Sequence, residues 1–400
     1  MKGTRYGWIK SIRKQKPFKY FISCTDGIEL EFQMSVPHDA IITGEDDLKI
    51  GASVIAEGED SKTPRGLYEF LVTNLEVVGK SDDSYPIQPK PHTKEFLRTI
   101  PEHRGRAREF QATWKIRHAI SQYIHRYLSA KGFCQYFAPI ITTGDCEGAG
   151  QTFAAKCDWL DANLTVSAQL QGEVGMMSLG RAYTFGPCFR AEKSATKKHL
   201  AEFWMVEPEM AFYDIKMTMD LVEELIKYVF TRVGVDCEEE LKLLCPDGVG
   251  HLVNTGVSSW KRIEYGKIID EFGVKYGDDI SSEVEKKITD KYGPTFITHY
   301  PEALKPFYMR KEAGEAFCFD LIFPYVGELV GGSEREADYA TLEKAMIDSG
   351  IDMSKMQWYL DTRKYGSVPH AGFGLGLERL IMFVTQAEKV HDVIPFPIAF

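Results

Sequence analysis

A chain of 400 residues with 44% hydrophobic content can bury more than one sizeable core, which suits a large enzyme of two or three domains. No run of about 18 apolar residues is available to span a bilayer, and the polar start MKGTRYGWIKSIRKQK lacks the apolar stretch of a secretory signal, so a cytoplasmic protein is expected. The formal net charge of −10 excludes indiscriminate nucleic-acid binding over the whole surface, because a phosphate backbone requires local positive charge.

The charge is uneven from the beginning. Residues 1–20 carry Lys2, Arg5, Lys10, Arg13, Lys14, Lys16 and Lys19 with no acid, interleaved with Tyr6, Trp8, Phe18 and Tyr20. Such a segment can hold a polyanion; a solvated charge run is the alternative. The runs YGWIKSI, KYFISC, GIELEFQM, SVIAEG and YEFLVTNLEVVG, punctuated by Asp26-Gly27 and Pro64-Arg65-Gly66, predict a small β-barrel. The proline-bearing stretch SDDSYPIQPKPHTKEF then reads as a hinge. The expected division is 1–85, a hinge over 86–105, and 106–400.

Beyond the hinge, Phe110, Trp114, Ile120, Ile124 and Leu128 recur at helical spacing up to Gly132. A second helix is predicted from Asp214 to near Gly234, with Leu221, Val222, Leu225, Ile226, Val229 and Phe230 on one face. Strand-like stretches between them make this part α+β. The eight cysteines show no Cys-x-x-Cys spacing and read as reduced, mostly buried thiols.

The chemistry concentrates in three places. In TFGPCFRAEKS, strand alternation puts Arg190 and Glu192 on one face, with Phe185 and Phe189 on the other. After the loop KSATKKHL, the stretch AEFWMVEPEMAF sets Trp204, Val206, Met210 and Phe212 on an apolar face, and Phe203, Glu207 and Glu209 opposite. This hairpin suits a nucleotide: Arg190 clamps a phosphate, Phe203 stacks on adenine, and Lys197, Lys198 and His199 reach the terminal phosphates. A structural Arg–Glu pair is the alternative. Near the end, HAGFGLGLERL runs glycines 372, 374 and 376 into a helix where Arg379 adds a cation and small residues let a ligand approach. Upstream, Asp320 and Glu328 are oxygen ligands of the kind magnesium accepts when phosphates supply the rest; hairpin carboxylates in solvent are the alternative.

Together these segments resemble the class II aminoacyl-tRNA synthetases, in particular the aspartyl/asparaginyl subgroup. FRAEKSATKKHLAEFWMVEPEMAF is similar to the second class-defining motif, GFGLGLERL to the third, and the helix leading into KGFCQYFAPIITTGDCEGAG to the first. The resemblance implies an α+β fold: an N-terminal OB-fold that reads the anticodon, then a catalytic domain whose antiparallel sheet is flanked by helices. It implies ATP and Mg2+, with tRNA(Asn) and asparagine as partners, and a homodimer with Pro139 at its interface. By the same resemblance Arg190, Glu192 and Arg379 are catalytic, with Arg190 on the α-phosphate and Arg379 on the γ-phosphate. Lys198, His199, Leu200, Phe203 and Gly376 surround ATP, and Asp320 with Glu328 holds magnesium. Glu147 takes the substrate α-amino group, beside Ser167 and Gln169, while Arg335 meets the side-chain carbonyl oxygen. Phe21, with Arg13 and Lys14, receives the anticodon.

Aspartate-specific relatives carry a lysine three residues after the glutamine equivalent to Gln169, where this chain has Gly172 followed by Glu173. Glu173 is therefore expected to accept from the amide of asparagine and to repel aspartate; an outward helix residue is the alternative. The implied activity is attachment of asparagine to tRNA. An ammonia-using paralogue that makes free asparagine and a catalytically silent RNA-binding paralogue are the competing expectations. Three departures from the subgroup stand out: Lys198 in place of an arginine before His199, Ile398 in place of a basic residue, and a short segment between Phe153 and Thr165.

Overall fold

In the computed structural model, which describes residues 2–63, 65–143, 152–191 and 199–398, the chain folds as two units, Met1–Trp114 and Lys115–Phe400. The first is built on strands β1 (Lys2–Arg13), β2 (Tyr20–Thr25), β3 (Phe32–Val36), β4 (Ile41–Thr43), β5 (Ser53–Lys62) and β6 (Tyr68–Gly79). They run in the order β3-β2-β1-β5-β6-β4, and a further β3–β6 pairing closes five of them into a barrel. The period-two pattern explains the closure: Ile22, Cys24, Met34, Val36, Val54 and Ala56 all point inward and are fully buried. This is the expected OB-fold. The stretch GIELEFQM is shorter as a strand than its composition suggests, because the Asp26 carboxylate accepts from the backbone N–H groups of Ile28 and Glu29 at 2.8 and 2.7 Å and holds a turn there.

Helix α1 (Arg108–Ala130), of which residues 115–130 belong to the second unit, buries Ile116, Ile120, Ile124 and Leu128 at helical spacing and stops before Gly132, whose φ is 82°. Helix α3 (Ile215–Asp236) starts where Asp214 accepts from the Met217 N–H at 2.7 Å. It buries Leu221, Val222, Leu225, Ile226, Val229, Phe230 and Val233, each contributing about 1.5–3 kcal/mol of transfer free energy. Between these helices in sequence lies α2 (Gln169–Leu179).

The helices pack on a sheet of nine strands among the described residues. Its central members are β7 (Arg181–Phe189), β8 (Glu202–Ala211), β9 (Thr295–Pro301), β10 (Glu315–Phe323), β11 (Gly327–Glu334) and β12 (His370–Gly376), in the order β9-β10-β11-β12-β8-β7, every pair antiparallel. The β7–β8 hairpin registers Arg181 against Met210 and Phe189 against Glu202, and on β8 Val206 and Met210 are buried as alternation predicted. Phe212 departs from that prediction: the strand ends at Ala211, and Phe212, at φ 62°, is 70% exposed. Two further helices complete the setting, α4 (Met353–Asp361) and α5 (Leu377–Thr385), which follows β12 directly. No helix among the described residues is long and apolar enough to cross a membrane. Cys24, Cys188, Cys237, Cys245 and Cys318 are buried as reduced thiols, while Cys134 and Cys157 are exposed.

Candidate active site

One face of the central strands frames a cavity of about 400 Å³ in the second unit. Period-two projection from β8 sends Glu207 and Glu209 into its wall while Val206 and Met210 enter the core on the other face. Arg335, one residue past β11, is 3% exposed and meets Glu209 in a bidentate pair, with distances of 2.5 and 3.1 Å. Its remaining nitrogen donates to the Ser333 hydroxyl at 2.8 Å. Burial works against the guanidinium charge, but Glu209 outweighs it and raises the Arg335 pKa further. Gly372 on β12 makes room for this pair: a Cβ there would lie 2.2 Å from the Glu209 carboxyl carbon. The space left by that glycine is thus filled by a carboxylate of the protein itself.

Glu207, 4% exposed, accepts from the Ala168 N–H at 3.0 Å, the Thr184 hydroxyl at 3.1 Å and the Ser167 hydroxyl. Gly172 is buried behind these residues; a Cβ on it would stand 3.5 Å from Glu209 Cγ and 3.8 Å from Thr184 Cγ2.

Asp320 and Glu328 converge over Gly331, where an added Cβ would lie 3.5 Å from an oxygen of the first and 3.2 Å from an oxygen of the second. Two carboxylates are a donor set that suits a small hard cation whose other ligands are phosphate oxygens; no group of three or more His, Cys, Asp or Glu side chains that could hold a metal unaided is found among the described residues. Burial raises the Glu328 pKa, and the adjacent Asp320 adds to it. Lys305, which had no distinguishing signal in the sequence, donates to Asp320 at 2.6 Å with its ammonium 3.9 Å from the centre of the Tyr300 ring. Arg379, in the first turn of α5, donates to the backbone carbonyl of Glu328, which brings it to this cluster. Gly376 is the N-cap of that helix. The following Glu378 ties the motif together, accepting from Arg117 at 2.7 Å and from the Trp204 N–H at 2.9 Å.

Arg190 lines the cavity and stacks its guanidinium 5.4 Å from the centre of the Phe203 ring, so the two hairpin residues predicted to share a face do so. His199 is exposed, whereas Leu200 is 7% exposed with its side chain in the main core, leaving only its backbone for a nucleotide. Glu147, Glu192, Lys197 and Lys198 lie outside the described residues.

Ser167 and Gln169 line the cavity, but Glu173 does not, contrary to expectation. It is fully buried one turn behind Gln169 on α2. Arg363 donates to it at 2.6 Å, and His370 lies 3.1 Å away. Tyr359 donates at 2.9 and 3.0 Å and Gln169 at 3.1 Å, so both oxygens are engaged within the protein. The carboxylates of β8, Glu207 and Glu209, line the cavity instead. Alternation had already put Glu207 and Glu209 on the Phe203 face, a signal to which the sequence reading attached no role.

In the first unit, β1–β2 register sets Arg13 directly opposite Phe21, and Phe21 meets Phe18 edge-on at 5.2 Å. Lys14 sits 5.5 Å from the centre of the Tyr20 ring. Exposed cations and an aromatic therefore share one part of the barrel surface, an arrangement that can stack and neutralise single-stranded nucleic acid.

The family model for tRNA synthetases class II (D, K and N) matches residues 101–399. Asparagine–tRNA ligase of Desulfotalea psychrophila is 41% identical over 424 residues, covering 98% of this chain and 94% of that protein. The ligase of the same name from Parabacteroides distasonis is 40% identical, covering 98% and 93%. Among solved structures, asparaginyl-tRNA synthetase from Pyrococcus horikoshii complexed with asparaginyl-adenylate superposes with a TM-score of 0.93 at 31% identity, over 100% of this chain and 95% of that one.

Proposed function

The chain belongs to the class II tRNA synthetases (D, K and N), and on that premise we infer that it is an ATP-dependent ligase joining asparagine to tRNA. The observation that carries this reading is the single cavity that gathers two chemically distinct sets of groups. Arg335, Glu207 and Gln169 suit an amino acid with a polar side chain, while Arg190, Asp320 and Glu328 suit a triphosphate.

Arg335 is assigned to donate to the side-chain carbonyl oxygen of asparagine, and Glu207, in place of Glu173, to accept from its amide. Aspartate would bring a second carboxylate to Glu207 and be repelled. A lysine at position 172 would bring a compensating cation towards the carboxylates of β8; glycine brings none. Glu147 and Ser167 complete the amino-acid set.

With both substrates bound, the asparagine carboxylate attacks the α-phosphorus of ATP and pyrophosphate leaves, forming asparaginyl-adenylate. Arg190 holds the α-phosphate and stabilises charge on its oxygens, Arg379 holds the γ-phosphate, and Phe203 stacks on adenine. Glu192, Lys198, His199, the Leu200 backbone and Gly376 complete the nucleotide contacts. Asp320 and Glu328 would hold Mg2+, which supplies Lewis-acid charge neutralisation to the phosphates. No protein nucleophile is required; alignment and preorganised charge carry the rate. A terminal ribose hydroxyl of tRNA(Asn) then attacks the mixed anhydride and releases AMP.

The domain assignment is part of the same proposal: an anticodon-reading OB-fold over 1–85 with Phe21, Arg13 and Lys14 on its RNA face, a hinge over 86–105 and the catalytic domain over 106–400. A cytoplasmic homodimer is also proposed, and the exposure of Phe137 at 83%, close to Pro139, supports an apolar interface there. The test is pyrophosphate exchange with purified protein, ATP and magnesium. Exchange that depends on asparagine supports the reading; exchange that depends on aspartate alone refutes it.

A further inference from the structure

Glu173 contributes nothing to the cavity wall, yet it touches a residue that does. Gln169 is 8% exposed, lines the cavity, and places its side-chain nitrogen 3.1 Å from Glu173 Oε1. Burial by itself would raise the Glu173 carboxyl, but the Arg363 guanidinium and the bond to His370 outweigh it and hold the group well below the usual carboxylate range. An ionised carboxylate only accepts, so the neighbouring amide has one permitted orientation, with its NH2 turned to Glu173. The anchor is firm: Arg363 also donates from Nε to the Glu336 carbonyl at 3.0 Å, and the His370 carbonyl accepts from the Arg335 N–H at 2.9 Å.

We propose that Glu173 is a positioning residue for the α-ammonium of asparagine: as an obligate acceptor it fixes Gln169 with its carbonyl oxygen turned to the substrate. A cation needs acceptors, and a Gln169 amide turned the other way would present donors to it instead. The proposal rests on the ligase reading above. The glutamate thus acts from one helical turn behind a cavity-lining glutamine, without touching substrate.

Glu173→Gln separates this role from simple structural support. With its carbonyl kept on Arg363, the new amide turns its NH2 to Gln169, which must flip and send its own NH2 into the cavity. The probes are asparagine and succinamic acid, which is asparagine without the α-amino group. In pyrophosphate exchange, Glu173→Gln is expected to raise the KM for asparagine about tenfold or more, leave the KM for ATP within about twofold, and leave inhibition by succinamic acid unchanged. The exchange of the two side chains, Gln169→Glu with Glu173→Gln, rebuilds the amide–carboxylate bond and puts an acceptor back in the cavity, so it is expected to restore asparagine binding. Equal weakening of asparagine and succinamic acid overturns the proposal, as does a folded double variant that binds asparagine no better than Glu173→Gln. If Glu173→Gln alone does not fold, the double variant is compared with Gln169→Met. Asparagine binding that is lost in Gln169→Met and retained in the double variant supports the proposal, and loss in both overturns it. Wild-type enzyme run alongside reports on the ligase reading separately, since asparagine-dependent exchange there with indiscriminate losses in the variants overturns only the role of Glu173.

Discussion

Replacing Glu207 by glutamine removes one negative charge from the amino-acid wall and little else. Glu207 Oε2 accepts from the Ala168 N–H at 3.0 Å and the Thr184 hydroxyl at 3.1 Å, bonds that a glutamine carbonyl keeps. The other oxygen accepts from Ser167, whose hydroxyl oxygen can in turn accept from an amide NH2. The fold is therefore expected to survive. A hydrogen bond to a charged group contributes about 1.5–3 kcal/mol, so kcat/KM for asparagine is expected to fall by roughly 10–150-fold. For aspartate, two like charges about 4 Å apart repel by about 4 kcal/mol at an effective dielectric of about 20, and relief of half of that is a gain of about 30-fold. The preference for asparagine over aspartate is thus expected to shrink by roughly 10²–10⁴. Pyrophosphate exchange with each amino acid measures it, after a thermal melt has confirmed folding. A well-folded variant with wild-type preference would show that Glu207 does not read the amide.

Gly372→Ala puts a methyl group where the Glu209 carboxylate lies and breaks its pair with the buried Arg335; at about 3–5 kcal/mol, in a unit as large as Lys115–Phe400, the melting temperature is expected to drop by roughly 5–8 °C. An unchanged melt and asparagine KM would contradict the packing described. Arg190→Ala is expected to abolish adenylate formation while leaving the melt intact, and normal pyrophosphate exchange in that variant would remove Arg190 from the phosphate site. Asp320→Asn is expected to raise the magnesium concentration needed for half-maximal exchange without moving the asparagine KM; an unaltered magnesium dependence counts against the cradle over Gly331. Phe21→Ala, by loss of about 1–3 kcal/mol of base stacking, is expected to raise the KM for tRNA about 5–150-fold and leave exchange without tRNA unaffected. A tRNA KM that does not move would place the anticodon elsewhere.

Much of this was legible from periodicity. Alternation in AEFWMVEPEMAF put Phe203, Glu207 and Glu209 on one face, and the hairpin does bring Arg190 over Phe203. Helical spacing found α1 and α3 because each has one buried face. Helix α2 gave no such signal, since its buried positions include Gln169, Glu173, Gly172 and Gly175, so burial there does not follow apolarity. The four-residue spacing of Gln169 and Glu173 is that of one helix face. It could not reveal that Tyr359, Arg363 and His370, far along the chain, close over the second of them. Gly372 was read as room for a ligand for a related reason: only the folded sheet shows that Glu209 crosses over it. Lys305 stands in an unremarkable sequence, and its meaning comes wholly from the partner that β10 supplies.

The central assignment is that this enzyme charges asparagine, and not aspartate, onto tRNA(Asn), and the most direct measurement is aminoacylation. Transcripts of the asparagine and aspartate tRNAs are each incubated with purified protein, ATP, magnesium and either labelled amino acid. The expected result is asparagine esterified to its own tRNA alone. Aspartate charged onto either transcript at a comparable rate would contradict the assignment of Glu207 and Arg335.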